Sequence, residues 1–126
     1  MDSAVLFVSP HAQDARDLAQ MLEEVPVSVV HAISLKQAAA ELESGRFRVV
    51  MTEANLEDGS WLDVLYLART TGAELVVTDA WADTRFWAEA INLGAYDLLA
   101  QPFHKTEVRR VISSASSQTK AGVAAS

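Results

Sequence analysis

The sequence predicts a doubly wound α/β domain: five parallel strands in one sheet, with helices on both faces. Two observations predict it. Short, near-continuous apolar runs recur five times, at Ala4 to Val8, Val27 to His31, Phe47 to Thr52, Leu75 to Thr78 and Tyr96 to Ala100. Amphipathic stretches with helical spacing follow each of them. The chain has 126 residues, half of them apolar, which is one domain and one sizeable core. Strands apolar throughout are covered on both faces, and crossovers between parallel strands are right-handed.

Each element carries its own signals. The first run stops at Ser9-Pro10, and the helix after it places Ala15, Leu18, Ala19 and Leu22 on one face. The second strand begins after Pro26. Ser34 reads as an N-cap, with Gln37 completing a capping box. Leu35, Ala38, Ala39 and Leu42 form that helix's buried stripe, and Gly45 stops it. After the third strand a polar loop, Glu53 to Gly59, leads to Ser60 as the next N-cap. The helix from Trp61 to Thr70 has an ambiguous face, because Trp61, Leu62, Val64, Leu65 and Leu67 surround its axis. Asp83 caps a fourth helix that ends at Gly94, with Ala88 and Ile91 expected on its buried stripe and Trp87 just outside it. The last helix carries Val108, Val111, Ile112 and Ala115 at helical spacing. The domain is therefore placed at 1–115, and the Ser/Ala/Gly-rich segment 116–126 reads as a disordered tail or linker.

Composition excludes several function classes. The chain has no cysteine, so disulfides, Cys-ligated zinc and thiol catalysis are out. That usage fits a reducing compartment, and a cytoplasmic location is expected. A net charge of −7 argues against a nucleic-acid partner, which needs a basic face to displace counterions. Lys105, Arg109 and Arg110 form only a small basic helix surface. No apolar run approaches the ~20 residues of a membrane span, and the N-terminus lacks a basic n-region and cleavage site.

In an open parallel sheet the working surface lies at the carboxyl ends of the strands. Here that means the segments after Val8, Thr52, Thr78 and Ala100. Two motifs fall there: Glu53-Ala54-Asn55-Leu56-Glu57-Asp58-Gly59-Ser60, and Asp79-Ala80 followed at fixed spacing by Gly94-Ala95 and Gln101-Pro102-Phe103. Together they resemble the receiver domain of bacterial response regulators, of the CheY-like, flavodoxin-like three-layer α/β/α type. The resemblance runs from about Ala4 to Ala115. It implies signal transduction in a two-component phosphorelay, where an Asp ending strand three accepts a phosphoryl group. Two acids ending strand one help hold Mg²⁺, and a hydroxyl ending strand four and a Lys ending strand five bind the phosphoryl oxygens. Phosphoryl transfer needs such positioning and charge neutralisation.

The chain departs from that pattern at every position. The acidic pair is Ser9 and Pro10, the acceptor position Glu53, the switch hydroxyl Asp79 and the lysine Gln101. The switch aromatic position is Leu98. Magnesium prefers charged oxygens, so neither a bound metal nor another cofactor is expected. No catalytic residues are assigned and no enzyme is expected. The reading is a pseudo-receiver acting by phosphorylation-independent protein–protein contact. One alternative keeps phosphorylation on a non-standard acceptor, Asp58 or Asp79; another is a flavodoxin-like nucleotide- or cofactor-binding enzyme, disfavoured because Ser9-Pro10-His11-Ala12 has no phosphate-loop glycine.

Glu53 and Asp79 are expected to face one small pocket, sharing a proton or a cation, or else to diverge into solvent. Gln101 is expected to donate to Glu53. His11, Asp58, Trp61 and Trp81 are placed on the pocket rim, the two tryptophans either covering the site or packing between loops. The resemblance implies a histidine kinase or an output protein as partner. It also implies a partner or homodimer face on helix four, strand five and helix five, where Trp87 is the candidate anchor. A cis Gln101-Pro102 bond is permitted.

Overall fold

A computed structural model describes residues 3–125, with side chains described over 4–117. Five strands make one parallel sheet: β1 Ser3–Val8, β2 Val27–Ala32, β3 Phe47–Glu53, β4 Glu74–Asp79 and β5 Asp97–Ala100. Their order is β2-β1-β3-β4-β5, the doubly wound arrangement the sequence predicts. The helices are α1 Ala12–Met21, α2 Leu35–Leu42, α3 Trp61–Thr71, α4 Thr84–Leu93 and α5 Lys105–Ala125. A two-residue antiparallel ladder, Asn55–Leu56 with Gly59–Ser60, folds the loop between β3 and α3 back on itself.

Alternation along the strands sorts the core into two layers. Leu6, Val8, Val50, Leu75 and Val77 face α2, α3 and α4. Val5, Phe7, Val49, Met51, Val76 and Leu99 face α1 and α5, whose stripe is Leu18, Leu22, Val108, Val111, Ile112 and Ala115. Arg109 ties α5 to the end of α1, donating to the Met21 carbonyl at 3.0 Å and pairing with Glu24 at 3.0 Å.

The helix ends follow local side-chain chemistry. Asp83 accepts from the Phe86 N–H at 2.8 Å. Ser60 accepts from Leu62, and Asp63 reaches back to the Ser60 N–H at 2.9 Å. Ser34 caps Gln37 at 3.1 Å, but the Gln37 amide oxygen accepts from Ile33 rather than from Ser34, so the expected capping box closes one residue early. Gly94 ends α4 at a φ of +118°, where an added Cβ would also run into the Arg69 guanidinium.

Several expectations are corrected. Ala19 is exposed, because α1 packs through the narrower stripe of Ala15, Leu18 and Leu22. On α4 the inward residues are Phe86 and Ala90; Ala88 is exposed and Ile91 only half-buried, since Ala90 sits over the sheet. The ambiguous α3 resolves onto Trp61, Val64, Leu65 and Ala68, with Leu62 left exposed. Helix α5 is described to Ala125, and Ser126 lies outside the described residues. Among the described side chains Ala115 is the last core residue of that helix, and the Ser/Ala-rich continuation contains no proline to stop it.

Candidate functional site

Strand register assembles the site. Val8 lies level with Thr52, so Ser9, one step further, stands beside Glu53 at the carboxyl edge. Glu53 in turn lies level with Thr78, and Asp79 with Ala100, which brings Gln101 to the same edge. The Gln101–Pro102 bond is cis. Pro10 then breaks the strand, and His11 takes the N-cap position of α1 in extended conformation without capping through its ring. The imidazole is thereby available to the sheet edge.

Ser9 is fully buried. Its hydroxyl donates to Glu53 Oε2 and accepts from the His11 N–H at 3.0 Å. On the far side, His31 Nε2 lies 2.7 Å from the Ser9 carbonyl oxygen. A carbonyl only accepts, so that ring nitrogen carries the proton. The Glu53 side chain is 13 % exposed, and both its oxygens lie 3.1 Å from His11 Nδ1. Asp14, in the first turn of α1, approaches the same nitrogen at 3.7 Å. Gln101 Nε2 donates to Asp14 Oδ2 at 3.3 Å, so the expected Gln101–Glu53 bond is replaced by Gln101–Asp14 because Ser9 and His11 already engage Glu53. These groups line an open cavity of about 520 Å³, with Gln13, Ala80 and Pro102 on its walls.

The electrostatics centre on His11. The Glu53 hydrogen bond and then the Glu53 charge raise the imidazole above its ordinary value of 6.5; partial burial opposes them, and the Asp14 charge adds to the rise. A raised histidine stabilises the fold fully below its unfolded value near 6.5 and loses that contribution as pH rises through the higher folded value. The side chain is 63 % exposed, so this is a small, salt-screened contribution. Glu53→Gln is expected to move the His11 titration, followed by imidazole proton NMR, back down toward its ordinary value. A His11 titration unmoved by that substitution would break the link.

Other rim residues do different work. Asp58 accepts from the Leu35 and Lys36 N–H groups at 2.8 and 3.0 Å, which holds its carboxyl below the usual range and pins the β3–α3 loop to the start of α2. Trp61 is buried against Phe86, ring centroids 6.0 Å apart, so it is core and not a cover. Trp81 is 85 % exposed and shields nothing. Asp79 is half-buried at the end of β4 and is not part of the cluster of His11, Asp14 and Glu53. Ala80, not Asp79, lines the cavity.

Asp14 is the site residue that the sequence reading missed; its signal was an acid three positions after His11, in the helix turn that follows the first strand. A second cavity, about 410 Å³, lies between α4, β5 and α5 and is lined by Leu98, Trp87, Ala100 and Glu107 among others. Trp87 is 47 % exposed, and its indole N–H donates to Asp97 at 3.2 Å.

Magnesium, which the resemblance implies, fits this donor set poorly. Pro10 offers no side-chain ligand, the Ser9 hydroxyl is committed to Glu53 and His11, and an imidazole nitrogen stands where Mg²⁺ would take hard oxygens.

No protein-family model matches the sequence, and no curated protein matches it. Solved structures do resemble it. A Vibrio parahaemolyticus signal receiver domain, described as that of a LuxO repressor protein, superposes with a TM-score of 0.88 at 18 % identity, covering 99 % of this chain and 98 % of that one. The signal receiver domain of an HD domain-containing protein from Pseudomonas fluorescens Pf-5 gives 0.84 at 21 % identity over 96 % and 99 %. The beryllofluoride-activated NtrC4 receiver domain dimer gives 0.83 at 21 % over 92 % and 98 %. Among the described residues no helix is long and apolar enough to cross a membrane. The chain therefore has the fold of response-regulator receiver domains.

Proposed function

We propose that this chain is a pseudo-receiver: a signal-transduction module that works through protein contact, without phosphorylation and without turnover of its own. The observation that carries this reading is the state of Glu53. Its carboxylate stands at the acceptor position but is already bonded by Ser9 and faced by His11 at 3.1 Å, so it is occupied as an internal partner and not exposed as a nucleophile. A phosphoryl group arriving there would meet Asp14 and would find Gln101 where a lysine is needed. The non-standard acceptor is less well supported, because Asp58 spends both carboxylate oxygens on α2. Incubation with a small-molecule phosphodonor and Mg²⁺ is expected to leave the intact mass unchanged; a phosphoryl adduct on any Asp or Glu would sink the reading.

Contact is assigned to the face of α4, β5 and α5. The NtrC4 receiver forms a dimer, and the cavity beside Trp87 gives this chain a recess on that face with both apolar walls (Trp87, Leu98) and acidic ones (Asp83, Glu107). A second copy, a histidine kinase or an output protein are the partners in view. Trp87→Ala is expected to shift any self-association seen by analytical ultracentrifugation toward monomer, by tenfold or more if Trp87 is a hot spot of about 1.4 kcal/mol or above. Identical association of parent and variant would remove Trp87 from the interface.

A further inference from the structure

We propose that His11, Asp14 and Glu53 form a binding site for a borderline divalent transition ion of the Zn²⁺ class, with His11 Nδ1 and one carboxylate oxygen from each acid as ligands. This deepens the reading above, and rests on it in that the site has left Mg²⁺-dependent phosphorylation.

The geometry suits such an ion. One ligand atom from each residue lies within 4.8 Å of the others. Nδ1 is 3.1 Å from the Glu53 oxygens and 3.7 Å from Asp14 Oδ2. In a tetrahedral zinc site with bonds of about 2.0–2.1 Å, neighbouring ligand atoms stand roughly 3.3–3.4 Å apart. The two observed separations bracket that edge and the third, between the two acids, is no more than 4.8 Å, so side-chain adjustment closes the three donors on an ion. Chemistry points the same way. An imidazole with carboxylates suits zinc and its neighbours, whereas Mg²⁺ keeps to oxygen and water.

The ligands are also supported from behind, as metal ligands commonly are. Ser9 Oγ holds Glu53 Oε2, and Gln101 Nε2 holds Asp14 Oδ2 at 3.3 Å. His11 is the N-cap of α1, Asp14 lies in its first turn and Glu53 ends a central strand, so these elements set the spacing. Three protein ligands leave a coordination position open toward the cavity, where water or a partner's side chain completes the shell. The substitutions that remove the phosphorylation machinery and the appearance of a nitrogen donor thus fall on one spot.

The test uses Zn²⁺ itself, added to the untagged full chain and followed by titration calorimetry, with Co²⁺ visible absorption reporting a nitrogen–oxygen shell. Loss of even an outer-shell partner typically weakens metal binding by about 10–100-fold. His11→Ala, Asp14→Asn and Glu53→Gln should therefore each weaken Zn²⁺ by about tenfold or more. His104→Ala, on an exposed histidine elsewhere, should change nothing. Excess Mg²⁺ should not displace the ion. No Zn²⁺ uptake, equal affinity in His11→Ala, or displacement by equimolar Mg²⁺ would overturn the proposal. Failure here leaves the phosphorylation-independent reading intact, and that reading falls separately if a phosphodonor labels the chain.

Discussion

Trp61→Ala is expected to lower the unfolding free energy by about 3–5 kcal/mol, the range for losing a large buried aromatic. Trp61 opens α3, is 6 % exposed, and packs with Val64, Leu65 and Phe86 on the α2–α3–α4 side of the sheet. Its removal leaves a cavity that neighbours tied to β3 and α4 fill only in part. Trp81→Ala is the matched control: at 85 % exposure it should stay within about 0.5 kcal/mol of the parent. Urea denaturation measures both, since a shifted midpoint at constant slope reports stability. If Trp61 were instead a cover over the cavity, its loss would cost little and would move the His11 and Glu53 NMR signals.

The second large effect comes from rebuilding the family pattern. Ser9→Asp, Pro10→Asp, Glu53→Asp, Asp79→Thr and Gln101→Lys together should turn a chain inert to a phosphodonor into one that takes a phosphoryl group in the presence of Mg²⁺. The physical reason is charge balance. In the native chain Asp14 and Glu53 stand together at this edge, and Gln101 brings no positive charge to it. The five changes supply Mg²⁺ ligands, shorten the acceptor by one methylene, free it from the Ser9 hydroxyl, and replace a repelling carboxylate with a donor. Mass spectrometry of the phosphodonor reaction reads the result. A rebuilt chain that folds, by the same denaturation assay, yet stays unlabelled would show that something other than these five positions silences the site.

The fold was legible because its signals are local and redundant. Five apolar runs, the caps at Ser34, Ser60 and Asp83, and the glycine stops at Gly45 and Gly94 agree with one another and with the structure. What misled was side-chain direction. Ala19 and Ala88 sit at helical spacing but face solvent, because spacing fixes a stripe's period and not its width. Trp61 lay at a loop-to-helix junction, where either orientation is consistent with the sequence, and packing chose the core.

The site was legible as a set of positions and not as a set of bonds. Ser9, Glu53, Asp79 and Gln101 follow from strand ends, and the register puts them at one edge. Which carboxylate His11 would meet depends on the turn after Pro10, and that turn recruits Asp14, a residue with no family motif to flag it. Gln101 then bonds Asp14, leaving Glu53 to Ser9 and His11.

The most direct measurement is an amide NMR titration of the native chain with Mg²⁺, then with Mg²⁺ and beryllofluoride, a mimic of the acyl phosphate. The amides of Ser9, Glu53, Asp79 and Gln101 are expected to stay where they are through both additions. Saturable shifts at those amides would mean the pocket still binds metal and phosphoryl mimic, and would contradict a phosphorylation-independent module.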